Sequence, residues 1–200
     1  VLSAIKYMHK LGCKVIYEYP TFPWENEMRQ AGSKFYYLDK LLFNKLEKNI
    51  DCITYIGEYY GNNDKYCRIN NCIDSSGFNL HRQNDTKNRL IITGVAHVAY
   101  YHGYDRLIDG LAIYYQQHQT RDVDFWIVGN CDPYLKLEER VRNYHLDKHV
   151  KFLGFKTGNE LDIVFDETDI GVDCLGLSRR GINITDSLKS KEYLARGIPY

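Results

Sequence analysis

Two short stretches hold residue types whose spacing could do chemistry. The first is Ser187-Leu-Lys-Ser-Lys-Glu192, at the head of a segment with helical spacing that runs to Gly197. A serine at a helix N-cap takes up backbone N–H groups further in, which leaves those of Leu188 and Lys189 free to bind an anion. Lys189 and Lys191 add positive charge, and Glu192, one to two turns in, is placed to accept hydrogen bonds from ribose hydroxyls. Taken alone, the same residues also describe a solvated helix with a surface Lys–Glu pair. The second stretch is Gly94-Val-Ala-His-Val-Ala-Tyr-Tyr-His-Gly103. It follows a strand-like run and opens a helix, so its N–H groups and the helix dipole face one point. Gly94 and Gly103 allow close backbone approach, and His97 and His102 could donate to a phosphate. Read alone, the two histidines are equally surface or packing residues. There is no GxGxxG fingerprint and no Walker lysine, so a dinucleotide or P-loop site is excluded.

These residues need elements to hold them, and the sequence pattern supplies alternating strands and helices. Residues 1–11 have helical spacing and stop at Gly12. Lys14–Tyr19 reads as a strand ended by Pro20 and Pro23. A helix over 36–49 and a strand over 52–56 follow. Residues 57–88, rich in Gly, Asn, Asp and Ser, are the expected domain boundary. After it come strands at 89–95, 124–128, 150–153 and 170–174, with helices at 103–118, 134–146, 160–167 and 187–196 between and after them. Such alternation predicts parallel βαβ units, an α/β fold with a doubly wound parallel sheet. Ligands of these sheets bind beyond the C-terminal strand ends, here the loops 94–103, 129–133 and 175–187.

Composition narrows the function. Lys+Arg and Asp+Glu both number 26, so there is no basic excess for a nucleic acid to meet. The 18 tyrosines are scattered and read as packing. Six cysteines form no CxxC pair and no histidine cluster has zinc spacing, so no metal site is expected. Free thiols beside apolar runs fit a reducing cytosol, although Cys67 and Cys72 are close enough in sequence to bridge. Asp122-Val-Asp124 precedes its strand, the wrong end for a metal-binding acidic pair facing the crevice. No apolar run is long enough to span a bilayer. Both ends read as cut, inside a helix at Val1 and before a strand at Tyr200.

Read together, these segments resemble the family 4 glycosyltransferases, which have two Rossmann-like domains and a cleft between them. The loop Ala96–Gly103 followed by Tyr-Asp-Arg-Leu-Ile108 stands where the family has G-R-L-x-x-x-K-G. Ile127-Val-Gly-Asn-Cys131 is similar to its I-V-G-x-G strand, and Val150-Lys-Phe-Leu-Gly154 to V-x-F-L-G. Glu192-Tyr-Leu-Ala-Arg-Gly-Ile-Pro199 is similar to E-A-M-A-x-G-x-P, and Arg68–Phe78 to the linker x-x-N-G-I-D-x-x-x-F. The resemblance covers 68–200, and residues 1–67 match weakly as the end of an acceptor domain.

The resemblance implies a domain at 68–200 that binds a nucleotide sugar, truncated at its C-terminus, after an incomplete acceptor domain and linker at 1–67. It implies transfer of a sugar from a nucleoside diphosphate to a saccharide or lipid-linked hydroxyl, with retention, in surface polysaccharide or glycoconjugate synthesis. The alternatives are a non-catalytic nucleotide-sugar-binding module or a sugar-nucleotide epimerase. A phosphorylase would need a cofactor lysine, for which Lys191 is a weak candidate. No cofactor or metal is implied. The location would be the cytoplasm or the inner face of the membrane, with peripheral membrane contact through the missing half. By position, His97 stands for the family's Arg and His102 for its Lys on the donor diphosphate, with Glu192 on the ribose. Ser187 and Leu188 fall at the diphosphate, and Phe155 and Lys156 at the base. The departures are Ile184, which stands where the family's first glutamate would be, and the histidines in place of cations. Asn183, Lys189 and Arg180 are candidates to compensate.

Overall fold

A computed structural model describes residues 1–22, 36–58, 63–80, 88–117 and 121–200. The chain divides into two compact units, one of Val1–Asn71 with Arg180–Asp186, the other of Cys72–Arg179 with Ser187–Tyr200.

The first unit begins with α1 (Leu2–Lys10), closed by a Schellman turn in which Gly12, at φ 77°, and Cys13 donate back to His9 and Met8. β1 (Ile16–Phe22), α2 (Tyr36–Glu47), β2 (Cys52–Gly57) and β3 (Tyr66–Arg68) follow. They build a parallel sheet in the order β1-β2-β3. Two differences from the sequence pattern stand out. Pro20 does not end β1: the strand lies at the sheet edge, where a missing N–H is tolerated, and its register slips between Tyr19 and Phe22. The other expected terminator, Pro23, lies outside the described residues. β3 falls inside the stretch expected to be boundary, because three residues are too few to show a period. Ile5, Tyr19, Ile50, Ile53 and Tyr55 form this unit's core.

The second unit contains β4 (Arg89–Val95), α3 (Tyr104–Gln116), β5 (Asp122–Val128), α4 (Leu137–Asn143), β6 (Val150–Gly154), α5 (Asn159–Glu167), β7 (Ile170–Gly171) and α6 (Leu188–Arg196). Its strands are all parallel, in the order β6-β5-β4-β7. Alternate residues of β4 and β5 face opposite sides of the sheet. On one side Ile92, Phe125 and Ile127 pack with Tyr104, Ile108 and Leu111 of α3 and Leu137 and Val141 of α4. On the other, Val95 meets Leu161 and Phe165 of α5 and Tyr193 of α6. Helices on both faces make this the doubly wound α/β sheet that the alternation implied.

The helix expected over 134–146 is only Leu137–Asn143. Pro133 starts a separate 3₁₀ turn, and Lys136, at φ 49°, breaks the hydrogen-bond ladder before the helix begins. The strand expected over 170–174 pairs in register with β4 only at Ile170 and Gly171, and Val172 N–H adds one last bond to Thr93 O at 2.8 Å. No helix among the described residues is long and apolar enough to cross a membrane.

Candidate functional site

The chain runs from β4 outward through β5 to β6, then returns to lay β7 on the other side of β4. The loops after β4 and β7 therefore leave in opposite directions, and a crevice opens beyond the strand ends between them.

The loop after β4 is held along one edge by the segment after β5. Ala96 N–H donates to Val128 O, Val98 N–H to Asn130 O, and Asp132 N–H back to Val98 O. Gly129, at φ 112°, lies so close that a Cβ there would sit 2.0 Å from Ala96 O. The loop ends in a 3₁₀ turn at Tyr100–His102 and Gly103, at φ 69°. Leu175 N–H donates to His102 O at 2.9 Å, and a Cβ on Gly103 would meet Gly176 N at 2.7 Å. The two loops touch backbone to backbone, which only glycine permits. Arg179 locks the contact from outside: it donates to Tyr100 O at 2.8 Å, stacks on the Tyr100 ring, and forks onto Asp105 at 2.8 and 2.7 Å.

Across the crevice, α6 starts at Ser187. Its hydroxyl oxygen accepts from Ser190 N–H, while its proton goes to Asp173, just past β7. Lys189 Nζ lies 3.0 Å from Asp173 Oδ1 and 3.5 Å from Cys174 Sγ. Burial alone would raise the Asp173 pKa, but the Lys189 ammonium and the Ser187 hydroxyl outweigh it and hold the carboxyl below its usual range. Burial pushes the Cys174 thiol up to about 11, so it stays protonated.

His102 is buried beside this cluster. Desolvation, then the nearby Lys189 charge, bring its pKa down to about 4. Its Nδ1 accepts from Ala99 N–H at 2.9 Å, so the neutral ring carries its proton on Nε2. His102 is thus a neutral donor at pH 7, not a cation. His97 is largely exposed, with Nε2 at 3.1 Å from Asp132 Oδ1.

Of the residues singled out by sequence, Gly103, His102, Ser187 and Lys189 come together here. Gly94 lies beneath them, where a Cβ would strike the Tyr104 ring at 2.5 Å. Leu188 is exposed at the first turn of α6, whose leading N–H groups have no acceptor within the helix. Glu192, a turn further on, receives two hydrogen bonds from Arg196. Phe155 is exposed beyond the end of β6, and Lys156 pairs with Glu160 at 3.7 Å. β6 is two strands from β4, so they stand roughly 10 Å along the sheet edge. Asn183 lies in the segment that belongs to the first unit, where its N–H donates to Glu58 Oε1 at 2.9 Å. Asp173, Arg179 and Arg196 carry no sequence signal of their own, because each acts through a partner distant in the chain or through burial.

Among the described residues no three His, Cys, Asp or Glu side chains converge as a metal cage. All six cysteines are free, Cys67 and Cys72 included. A cavity of about 380 Å³ opens at Cys131 and Asp132, beyond the end of β5, and runs along α4.

The fold and the cleft define a Rossmann-like α/β protein with a helix N-terminus at its switch point. Residues 78–185, more than half of the chain, match the family Glycosyl transferases group 1, and the chain belongs to that family. Solved structures share the fold. HepE of Anabaena, in complex with UDP and glucose, is 15% identical with a TM-score of 0.66, over 98% of this chain and 54% of its own. Sucrose-phosphate synthase of Thermosynechococcus elongatus is 14% identical at TM-score 0.67, over 97% of this chain and 51% of its own. The apo lipopolysaccharide outer core galactosyltransferase WaaB is 13% identical at TM-score 0.60, over 99% and 52%. The chain spans about half the length of these proteins. No curated protein matches the sequence.

Proposed function

We propose that the second unit binds the donor of a retaining glycosyltransferase of the family 4 type, which moves a sugar from a nucleoside diphosphate to a saccharide or lipid-linked hydroxyl. The domain limits would be those the resemblance implies, 68–200 for the donor domain and 1–67 for the end of an acceptor domain and linker. The observation that carries the reading is the cluster of Ser187, Lys189 and Asp173 at the start of α6, facing His102 across the crevice. UDP in HepE supports a nucleotide sugar as the donor.

As the glycosidic bond to the diphosphate breaks, negative charge builds on the leaving oxygens, and donors aimed at them lower the barrier. The N–H groups of Leu188 and Lys189, the remaining protons of Lys189 Nζ and the Nε2–H of His102 are those donors. Lys189 and Asp173 form a pair that is neutral as a whole, so it orients the phosphate more than it attracts it. Long-range attraction falls to the dipole of α6, and His97 at the rim is a further hydrogen-bonding side chain. Protein groups take the place of a metal in this scheme, and no cofactor is required. Glu192 accepts from the ribose, and Phe155 and Lys156 border the base. Synthesis of surface polysaccharide at the cytoplasmic face of a membrane fits this chemistry.

Calorimetric titration with UDP, GDP and ADP tests the reading. One of them should bind in the micromolar range, and Glu192→Ala or His102→Ala should weaken it about tenfold, or ~1.4 kcal/mol. Failure of a folded chain to bind any of the three removes the site. Product analysis on a longer chain that carries the acceptor half then separates transfer, with an α-anomer from an α-donor, from epimerisation or binding alone.

A further inference from the structure

Glu192 and Arg196 lie one turn apart on α6, so their side chains share a face. Arg196 is no surface partner: its side chain is 6% exposed at the end of an otherwise amphipathic helix. Its guanidinium lies 4.4 Å from the Phe165 ring and 4.9 Å from that of Phe78. One Nη donates to Asp162 Oδ1 at 2.7 Å, and the same Nη and Nε both donate to Glu192 Oε1, at 2.9 and 3.1 Å. Two carboxylates and two rings thus fix an arginine whose two bonds to Glu192 go to the same oxygen. Among the described hydrogen bonds none uses Glu192 Oε2, and the side chain keeps an exposed edge.

A salt bridge made only for stability would gain most from the fork, one donor to each oxygen. Here both donors go to Oε1; with that oxygen anchored to Arg196 and the side chain tethered to α6, the reach of Oε2 is restricted and it is left as an acceptor for another donor. A Schellman turn at Gly197, whose N–H and that of Ile198 donate to Leu194 and Tyr193, ends the helix immediately after Arg196 and buries Ile198. The arginine's backbone is therefore held as firmly as its side chain.

We propose that Arg196, braced by Asp162, is a positioning residue that aims Glu192 Oε2 at the ribose hydroxyls of the bound nucleotide. This rests on the reading of Glu192 as the ribose acceptor. The consequence is specific: loss of Arg196 removes discrimination for the ribose hydroxyls and leaves recognition of the diphosphate and base intact. A free glutamate, by contrast, would divide its time among rotamers and reward a ribose only weakly.

The test compares the tightest-binding of UDP, GDP and ADP with its 2′,3′-dideoxy analogue by calorimetry. The unmodified chain should prefer the ribonucleotide by at least about tenfold, since a site built around a hydroxyl rejects a ligand without it. Glu192→Ala should abolish that ratio. Arg196→Met, which keeps an apolar filler between the two phenyl rings, should reduce it to less than about threefold while affinity for the dideoxy nucleotide stays unchanged. Arg196→Lys should restore part of it. A full ratio in Arg196→Met, or equal weakening of both nucleotides, overturns the proposal, because a merely structural arginine would act on both alike. A ratio that Glu192→Ala leaves untouched instead sinks the ribose reading, and the role of Arg196 goes with it. Should Arg196→Met fail to fold, Asp162→Asn loosens Arg196 without touching Glu192: a partial loss of the ratio supports the proposal, and none overturns it.

Discussion

The two ends of the second unit's sheet each hold an aspartate against basic side chains or a single lysine, Asp124 buried and Asp173 partly buried, and they use it differently. At the N-terminal end, Asp124 of β5 has a side chain only 3% exposed, with Arg89 at 3.2 Å, His149 at 3.4 Å and Lys151 at 3.9 Å. These side chains come from the starts of β4 and β6 and the residue before β6, so one carboxylate ties three neighbouring strands together. At the C-terminal end, Asp173 meets one lysine and one serine, both from the first turn of α6. The first arrangement surrounds its acid with half-exposed cations that water can also serve. The second holds a lysine and a helix cap at a crevice and leaves donors unspent. Asp124 stitches the starts of parallel strands, and Asp173 anchors a lysine and a helix cap beyond their ends.

The largest effect should come from breaking the crevice end outright. Gly103→Ala puts a methyl 2.7 Å from Gly176 N in a left-handed backbone conformation. The expected cost is about 4 kcal/mol in urea unfolding, with nucleotide binding lost, from overpacking and backbone strain together. A midpoint within experimental error of the parent would show that the two loops can separate freely.

The next effect concerns acid. His102 has a folded pKa near 4, below its unfolded value of about 6.5, so the unfolded chain takes up the proton first. Stability should therefore fall as pH drops from about 6.5 to 4, by up to roughly 3 kcal/mol, and then level off for this group. His102→Gln should flatten that window, and nucleotide affinity from pH 8 to 6 should show no step due to His102. Retention of the acid slope in His102→Gln would place the titrating group elsewhere.

The smallest effect, the difference between two variants, sharpens the comparison directly. Asp173→Asn leaves Lys189 buried without its partner and should cost about 3 kcal/mol, together with nucleotide affinity. Because the Asp173 pKa is depressed, this contribution is full above about pH 4, the unfolded carboxyl value, and is lost only as pH falls below it. Asp124→Asn strands only half-exposed cations and should cost about 1–2 kcal/mol with nucleotide affinity unchanged. Equal costs, or an affinity loss in Asp124→Asn, would erase the distinction between the two ends.

Much of the fold was legible because burial imposes a period on a sequence. Ile92, Phe125 and Ile127 alternate along strands, while Tyr104, Ile108 and Leu111 recur at helical spacing, so β4, α3 and β5 announce themselves. The bounds of α4 did not, since its apolar positions continue through Pro133 and Lys136, where backbone geometry and not hydrophobicity stops the helix. β3, at three residues, is defined by its neighbour's hydrogen bonds and has no pattern of its own, and β7, legible as a strand over 170–174, is only two residues long. At the site, Ser187 was readable as a cap, and Gly103 and Lys189 stood out by type and spacing. His102 was read by position as standing for a phosphate-binding lysine, and its burial beside Lys189 keeps the ring neutral.

By itself, then, the sequence determined the alternation of strands and helices, the parallel sheet that follows from it, and the loops and helix start that lie beyond its strand ends, because hydrophobic periodicity and capping are local. Only the tertiary structure decided that Asp173 holds Lys189, that Arg179 locks the two loops, and that two Arg196 donors meet one oxygen of Glu192. It also decided that His102 is neutral. Charge, pKa and side-chain direction depend on what is brought within a few ångströms, and residues far apart in the chain meet only when the sheet is complete.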